Sequence, residues 1–489
     1  MKIALVQPPR PQAKGVEAEG HWELTRPLSL FYLAASIAHK TDYETIIIDF
    51  ESKKYAGESL RDVFEVCNAD IFAITATTYT RFEAIKIAKI VKSLRPESVV
   101  VVGGVHFMYC PEDTLRKVPE IDVVVRGEGE VSLVKLAEAI NEGNGLDTIR
   151  GISYRRDGKI VHNPEQDTFE DLDSVPVYTN FEGDEYPEYV FVYPERLRAI
   201  SVMATRGCPN NCIFCSKGGM KYRLRDPLKV VDEIEYWQRR FGIEGINFLD
   251  LTFTGNTHHV QSICEELIRR DLDIKWWCES RANIPLELLD IMKRAGCVSL
   301  VVGVESGSPK VLSTIKKRIS VDQVLSFCRK CDDIGIFVVP YFMFSFPGET
   351  ERDARETINL IRKLEQIGEF VLECSFQPCM IFPGTQIEQM ALKDGILPRD
   401  FSWSEPYESE VNVELGQLSN VPLYIDQISP RKLKALKDDM NTSHWARTVK
   451  QEETGSLIIK GLKAIREGRG SSFLSTKFIS EYLRAKLSG

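Results

Sequence analysis

Over about the first 140 positions, apolar residues come in short runs separated by longer amphipathic stretches. Lys2 to Val6, Glu44 to Asp49, Ile71 to Thr75, Ser98 to Val102 and Val123 to Val125 read as buried strands, and the stretches between them as helices. In Arg81 to Leu94 the residues Ala84, Ile87, Ala88, Val91 and Leu94 fall on one helical face, and Pro96 ends the pattern. Alternating strand and helix predicts an α/β fold with a doubly wound, Rossmann-like parallel sheet. Its ligand crevice lies beyond the carboxyl ends of the strands. Polar or glycine-rich segments stand there: Pro8-Pro9-Arg10, Thr75 to Thr78, Gly103-Gly104-Val105-His106, and Arg126-Gly127-Glu128-Gly129-Glu130.

The pattern changes at Gly151. Ile152 to Tyr154 and Lys159 to His162 flank Asp157-Gly158 and predict a hairpin, followed to about Arg198 by an acidic, proline-dotted connection that reads as a linker. A second alternating series follows, with strands near Ile200 to Ala204, Ile246 to Asp250, Ile274 to Glu279, Val298 to Val304, Phe337 to Phe344 and Leu372 to Gln377. Six such units predict a partial (β/α)6 barrel. Its first helix is marked by Asp226 as N-cap, Pro227 in the first turn, an apolar face of Val230, Val231, Ile234, Trp237 and Phe241, and Gly242 past the end. The expected divisions are 1–145, 146–198 (hairpin and linker), 199–390 (barrel) and 391–489 (a mainly helical C-terminal cap).

Composition narrows the class. The 489 residues are 43% hydrophobic and 27% charged, the balance of a globular protein with several cores. A net charge of -9, from 62 basic and 71 acidic residues, argues against a nucleic-acid surface. The apolar start is cut short by Pro8 and Pro9, so it lacks a signal-peptide core, and no run is long enough to span a membrane. A cytoplasmic location is expected, where the 12 cysteines stay reduced and their clustering points to metal binding or catalysis. Ser456 to Gly489 carries seven basic and two acidic residues among leucines, isoleucines and phenylalanines. This reads as a docked terminal helix with a solvated face, and its composition also fits weak contact with a membrane surface or a lipid.

The chemistry concentrates in Arg206-Gly207-Cys208-Pro209-Asn210-Asn211-Cys212-Ile213-Phe214-Cys215, which follows a predicted strand. Thiolates are the soft ligands that iron-sulfur clusters select. Three of them leave one iron of a four-iron cluster open to another ligand. Zinc is the alternative, but it would want a fourth protein ligand, and no nearby histidine has a finger spacing. The C-x3-C-x2-C spacing with Phe214 before the last cysteine closely resembles the radical S-adenosylmethionine (SAM) family. So do Asn247 to Phe253, Cys278-Glu279-Ser280-Arg281, Gly303 to Ser308, Phe346-Pro347-Gly348-Glu349-Thr350 and Phe382-Pro383-Gly384-Thr385, so that the likeness covers about Ala199 to Gln386. The resemblance implies a 4Fe-4S cluster on Cys208, Cys212 and Cys215 that cleaves SAM to a 5'-deoxyadenosyl radical. It places Phe214 near the adenine and makes Ser280, Arg281, Glu305 and Ser306 candidates for SAM's polar groups. Many relatives carry a second acidic residue after the position of Asp250, where this chain has Leu251, which puts a direct role for that strand end in doubt.

A doubly wound domain ahead of the barrel resembles the cobalamin-binding subgroup of the family. That likeness makes Thr77, Gly104, His106, Gly127 and Glu128 candidates for corrinoid contacts. None of the seven histidines has an aspartate two residues before it, so the D-x-H-x-x-G loop that replaces cobalamin's own lower ligand is missing. The lower position would be empty, hold water, or meet another side chain; a lone histidine such as His106 is more often a packed loop residue. Cys67 and Cys110 are too few for a second cluster in this part. The resemblance implies methylation of an unreactive carbon or phosphorus of a small molecule or lipid precursor, with electrons from a donor such as flavodoxin or ferredoxin. Radical cyclisation, rearrangement or oxidation is the alternative within the family, and a noncatalytic corrinoid or iron-sulfur carrier the alternative outside it.

Overall fold

A computed structural model describes residues 1–11, 27–55, 57–167, 171–179, 189–192, 195–216, 221–372, 375–407, 409–415 and 420–451. The chain divides into two compact units, Met1–Pro430 and Arg431–Gly489. In the described part of the second, residues 431–451 continue the helix Pro430–Gln451. The basic segment Ser456 to Gly489 lies outside the described residues. Among the described residues no helix is long and apolar enough to cross a membrane.

The first sheet of Met1–Pro430 is built from β1 (Lys2–Gln7), β2 (Glu44–Asp49), β3 (Ile71–Thr75), β4 (Val99–Gly103), β5 (Val123–Val125), β6 (Ile152–Arg156) and β7 (Lys159–His162). They lie in the order β2-β1-β3-β4-β5-β6-β7. The first five are parallel, and helices cover both faces. Alternation along β1 shows why: Ile3 and Leu5 join one core with Leu30, Ala34, Leu133 and Leu136, while Ala4 and Val6 join the other with Ala84, Ile87, Ala88 and Val91. Chain order reverses between β1 and β3, which opens a crevice at their carboxyl ends. The hairpin expected to lie in a linker belongs to this sheet instead. β6 pairs antiparallel with β5 and covers an edge that would otherwise stand open.

The second sheet contains β8 (Tyr189–Val192), β9 (Glu195–Val202), β12 (Gly245–Phe248), β13 (Lys275–Ser280), β14 (Cys297–Glu305), β15 (Phe337–Phe344) and β16 (Ser375–Pro378); β10 (Thr205–Arg206) and β11 (Arg223–Leu224) form a separate two-stranded clip. The six strands from β9 through β16 are parallel and form the partial barrel, with β8 antiparallel on its first edge. β8 falls inside the stretch read as a linker. The helix Pro227–Phe241 matches its sequence signals: the Asp226 side chain accepts from Leu228 N at 2.8 Å, and Gly242 ends it in the left-handed region at φ +59°. On β13, Trp276 and Cys278 are buried toward the helices, with Trp276 against Phe248 and Phe253. Trp277 and Glu279 alternate onto the inner face, where Trp277 packs with Leu197 and Ala199.

Candidate active site

The cysteine loop leaves the barrel through the clip, in which Thr205 and Arg206 pair with Leu224 and Arg223. Asp250, fully buried just after β12, steadies its root by accepting from Ala204 N at 3.3 Å and from Thr205 N. Burial pushes that carboxyl up to about 6. Inside the loop, Cys215 N donates to Cys212 O at 3.3 Å, and Asn210 Nδ2 donates to Cys208 Sγ at 3.5 Å. The buried Ile213 anchors the loop through Ile213 N to Ile315 O at 3.2 Å and Ile387 N to Ile213 O at 3.3 Å. Cys208 and Cys212 are half-buried and Cys215 is open to solvent on one side. Protein closes round Cys215 on its other sides, and this lost hydration, then the negative charge of Cys212 and Cys208 as thiolates, pushes its thiol up to about 11. Among the described residues no three His, Cys, Asp or Glu side chains converge tightly enough to hold a single metal ion.

The residues expected at SAM divide into two sets. Arg281 Nη1 reaches Cys212 Sγ at 3.9 Å and its Nη2 donates to Lys317 O, while its Nε has no partner among the described residues. Glu305, non-glycine at φ +71°, pairs with Lys317 Nζ at 2.8 Å. Gly303 leaves room for that pair, since a Cβ there would press on both Glu305 Oε1 and Lys317 Nζ. Phe214 packs against Phe346 with ring centroids 5.5 Å apart. Ser280 and Ser306 are committed elsewhere: Ser280 Oγ bonds Thr254 Oγ1 at 3.0 Å, and Ser306 Oγ bonds Thr357 Oγ1 at 3.0 Å and accepts from Ser308 N. Both shape strand-end turns. Glu349 holds the turn under Phe346, its Oε2 accepting from Phe346 N at 2.9 Å while Oε1 has no partner among the described residues.

Two groups missed in the sequence reading stand beside these. Lys317 is 6% exposed and is the cation nearest the Glu305 carboxylate. Glu279 shares the inner face of the barrel with Tyr341 and Glu305, and burial followed by the charge of Glu305 raises its carboxyl to about 7. Its side chain is nonetheless exposed to solvent, so the carboxyl lines the inner face without being packed into it. Period-two alternation along Lys275–Ser280 was the signal that pointed it inward.

At the first sheet, Gly104 adopts φ +85°, and a Cβ there would meet Thr75 Oγ1 at 2.7 Å and Ala76 O at 2.8 Å. Thr77 N donates to Thr80 Oγ1 at 3.1 Å. His106 is fully buried, with Nδ1 3.2 Å from Thr78 Oγ1 and Nε2 3.6 Å from Cys110 Sγ. Burial and the nearby Arg81 charge lower its pKa to about 3, so the ring is neutral and enclosed rather than presented to a ligand. Arg81 is itself buried and donates to the carbonyls of Thr78, Trp403 and Asn420. Gly127 takes φ +95°, and Glu128 beyond it turns to the barrel, where it binds Arg223 through both Nη atoms and lies 3.6 Å from Arg206. Arg206 also pairs with Glu130 at 2.5 Å. Thus the loop after β5 grips the clip that frames the cysteines. Tyr79 and Val105, beside the same strand ends as Thr77 and Gly104, are large apolar side chains left exposed.

Residues 202–361 match the Radical SAM superfamily, and residues 23–137 match the B12 binding domain. Over 408 residues the chain is 32% identical to an uncharacterised methyltransferase of Pyrococcus horikoshii, a match spanning 81% of this chain and 84% of the relative. The chain belongs to the cobalamin-binding radical SAM enzymes. A second relative in this family, the anaerobic magnesium-protoporphyrin IX monomethyl ester cyclase of Rubrivivax gelatinosus, is 29% identical over 371 residues, covering 74% of this chain and 66% of the cyclase. The fold is that of solved cobalamin-dependent radical SAM enzymes. OxsB with aqua-cobalamin and SAM bound superposes with a TM-score of 0.69 at 18% identity, over 99% of this chain and 75% of OxsB. TsrM of Kitasatospora setae with cobalamin and a [4Fe-4S] cluster gives 0.65 at 21% identity, over 80% and 78%. Membership in the radical SAM cobalamin family makes a 4Fe-4S cluster, SAM and cobalamin the cofactors. The residues present fit them: three thiols in one anchored loop, charged groups at the barrel mouth, and a glycine-lined crevice on the first sheet.

Proposed function

We propose that this enzyme methylates an unreactive carbon or phosphorus of a small molecule or lipid precursor, with Cys208, Cys212 and Cys215 holding the cluster. One observation carries the reading: the thiol loop at the carboxyl end of the barrel is tied, through Arg206, Arg223, Glu128 and Glu130, to the carboxyl end of the B12-type sheet. This supports two reaction centres held at a fixed spacing. When bound, the cluster and SAM supply a 5'-deoxyadenosyl radical and cobalamin supplies a methyl group. Arg281, Glu305 and Lys317 then orient SAM by charge, and Phe214, backed by Phe346, offers a flat apolar wall to its adenine. Tyr79, Val105 and the bare backbone at Gly104 form the surface toward the corrinoid. His106, neutral and enclosed against Thr78 and Cys110, would support that surface from behind. Reduction falls to an electron donor such as flavodoxin or ferredoxin in the reducing cytoplasm.

Radical cyclisation without methyl transfer is the second reading, favoured by the likeness to the Rubrivivax cyclase. The deciding experiment is anaerobic reconstitution with iron, sulfide, cobalamin, reductant and methyl-labelled SAM. Methyl transfer consumes two SAM per product and yields S-adenosylhomocysteine beside 5'-deoxyadenosine; cyclisation yields no S-adenosylhomocysteine. Alanine at any of the three cysteines should abolish 5'-deoxyadenosine release and the electron paramagnetic resonance signal of the reduced cluster. Retention of both by any one of those variants refutes the assignment of the loop.

A further inference from the structure

Among the described residues, Glu279 on the inner face of the barrel is a carboxyl with no protein counterpart. Glu305 has Lys317 at 2.8 Å, and Asp250 accepts from the backbone of Ala204 and Thr205. Glu279 makes neither a hydrogen bond nor an ion pair with the described residues. Its place is defined by register: on β13 it lies opposite Val301 of β14, two residues before Arg281, whose guanidinium reaches Cys212 Sγ. The groups that face it are Glu305 on β14, Tyr341 on β15, Asp250 after β12, and Lys317 in the turn beyond the helix Pro309–Thr314. Of these groups Lys317 is the cation, and its ammonium is already paired with Glu305. A carboxyl in that position, open to the inside and without a counter-charge of its own, gains from a ligand that brings a cation.

We propose that Glu279 supplies the counter-charge to the sulfonium of SAM. A sulfonium has no hydrogen on sulfur to donate, so it needs an opposed charge more than a hydrogen-bond partner, and a carboxyl on the strand that delivers Arg281 to Cys212 offers that. The assignment rests on the SAM site proposed above. It also gives the site a way to release spent cofactor, because S-adenosylhomocysteine is a neutral thioether at the same atom and loses the attraction.

The sign of the pH effect follows. With its carboxyl raised to about 7 in the free protein, Glu279 is partly protonated near neutrality, and a bound cation favours the ionised form. SAM affinity should therefore rise as pH increases through about 7, with proton release on binding, while S-adenosylhomocysteine affinity stays flat. Each unit by which SAM lowers the carboxyl's pKa corresponds to roughly tenfold in affinity.

The test is anaerobic calorimetry of the cluster-loaded, unreduced holoenzyme with SAM and with S-adenosylhomocysteine, on wild type, Glu279→Gln and Glu279→Asp. Glu279→Gln should weaken SAM on the order of tenfold, leave S-adenosylhomocysteine within about twofold, and remove the proton release. Glu279→Asp should restore part of the discrimination. Equal losses for both ligands, or none for either, overturn the proposal. A wild-type holoenzyme that binds neither ligand instead brings down the SAM site itself, and this assignment with it.

Discussion

Truncating Glu128 to alanine tests whether the join between the two sheets is electrostatic. Its carboxylate is 9% exposed and binds Arg223, which is 3% exposed, with Arg206 3.6 Å away. Breaking a buried pair from one side costs about 3–5 kcal/mol, because the remaining charge stays desolvated. Arg206 keeps Glu130 at 2.5 Å, so only the Arg223 charge is stranded and the lower end of the range applies, about 3 kcal/mol. Removing both partners in Glu128→Ala with Arg223→Met takes away the buried charge and should return about 2 kcal/mol of that loss; with the cost of Arg223→Met alone added, the coupling energy is at least about 2 kcal/mol. Urea unfolding of wild type, both single variants and the double variant, followed by circular dichroism, supplies the cycle. In a chain of this size the cycle is read from the transition on which circular dichroism and tryptophan fluorescence coincide. A coupling below about 0.5 kcal/mol would show that shape alone holds the sheets together.

Two further outcomes follow from backbone and burial. Burial raises the fully enclosed Glu349 carboxyl to about 7 from an ordinary value of 4.5, against donation from the Phe346 and Ser345 amides and with Asp353 and Asp426 adding to the rise. The folded state therefore holds the proton more tightly than the unfolded chain, and the stability this gives is complete below about 4.5 and lost as pH rises through about 7. Glu349→Gln should match wild type near pH ~5 but exceed it near pH ~8 by on the order of 1–3 kcal/mol in thermal unfolding; a constant offset would refute the buried-proton account. Gly296 has φ +93° and its absent Cβ would overlap the Ile274 carbonyl, whereas Gly242 at φ +59° has nothing within 4 Å. Gly296→Ala should cost more than about 4 kcal/mol or fail to yield folded protein, and Gly242→Ala about 1 kcal/mol, as measured by denaturant midpoints.

What the sequence revealed follows the range of the interactions involved. Glu44–Asp49, Ile71–Thr75 and Phe337–Phe344 coincide with their expected strands, and Arg81–Leu94 with its expected helix, because burial on both faces or one apolar stripe leaves a local pattern. Pairing is not local. The hairpin at Asp157-Gly158 was visible from its turn residues, yet its membership in the first sheet depends on β5, and β8 is defined only by its pairing with β9. The same limit governs the site. The three cysteines announce themselves within one loop, whereas Glu128 was expected at the corrinoid and lies against an arginine 95 positions away. The family resemblance made Ser280 and Ser306 candidates for SAM's polar groups, and here their hydroxyls bond Thr254 and Thr357, partners 26 and 51 positions away.

Arg81 gives the fold an unusual economy of parts. Its guanidinium is lodged among three neutral carbonyls drawn from Thr78, Trp403 and Asn420, so the crevice loop of the first sheet is completed by residues more than 300 positions downstream. A ribosome that has made both sheets has still not supplied two of those acceptors. The crevice loop can therefore reach its final form only once synthesis has passed residue 420, after every strand of both sheets has been made.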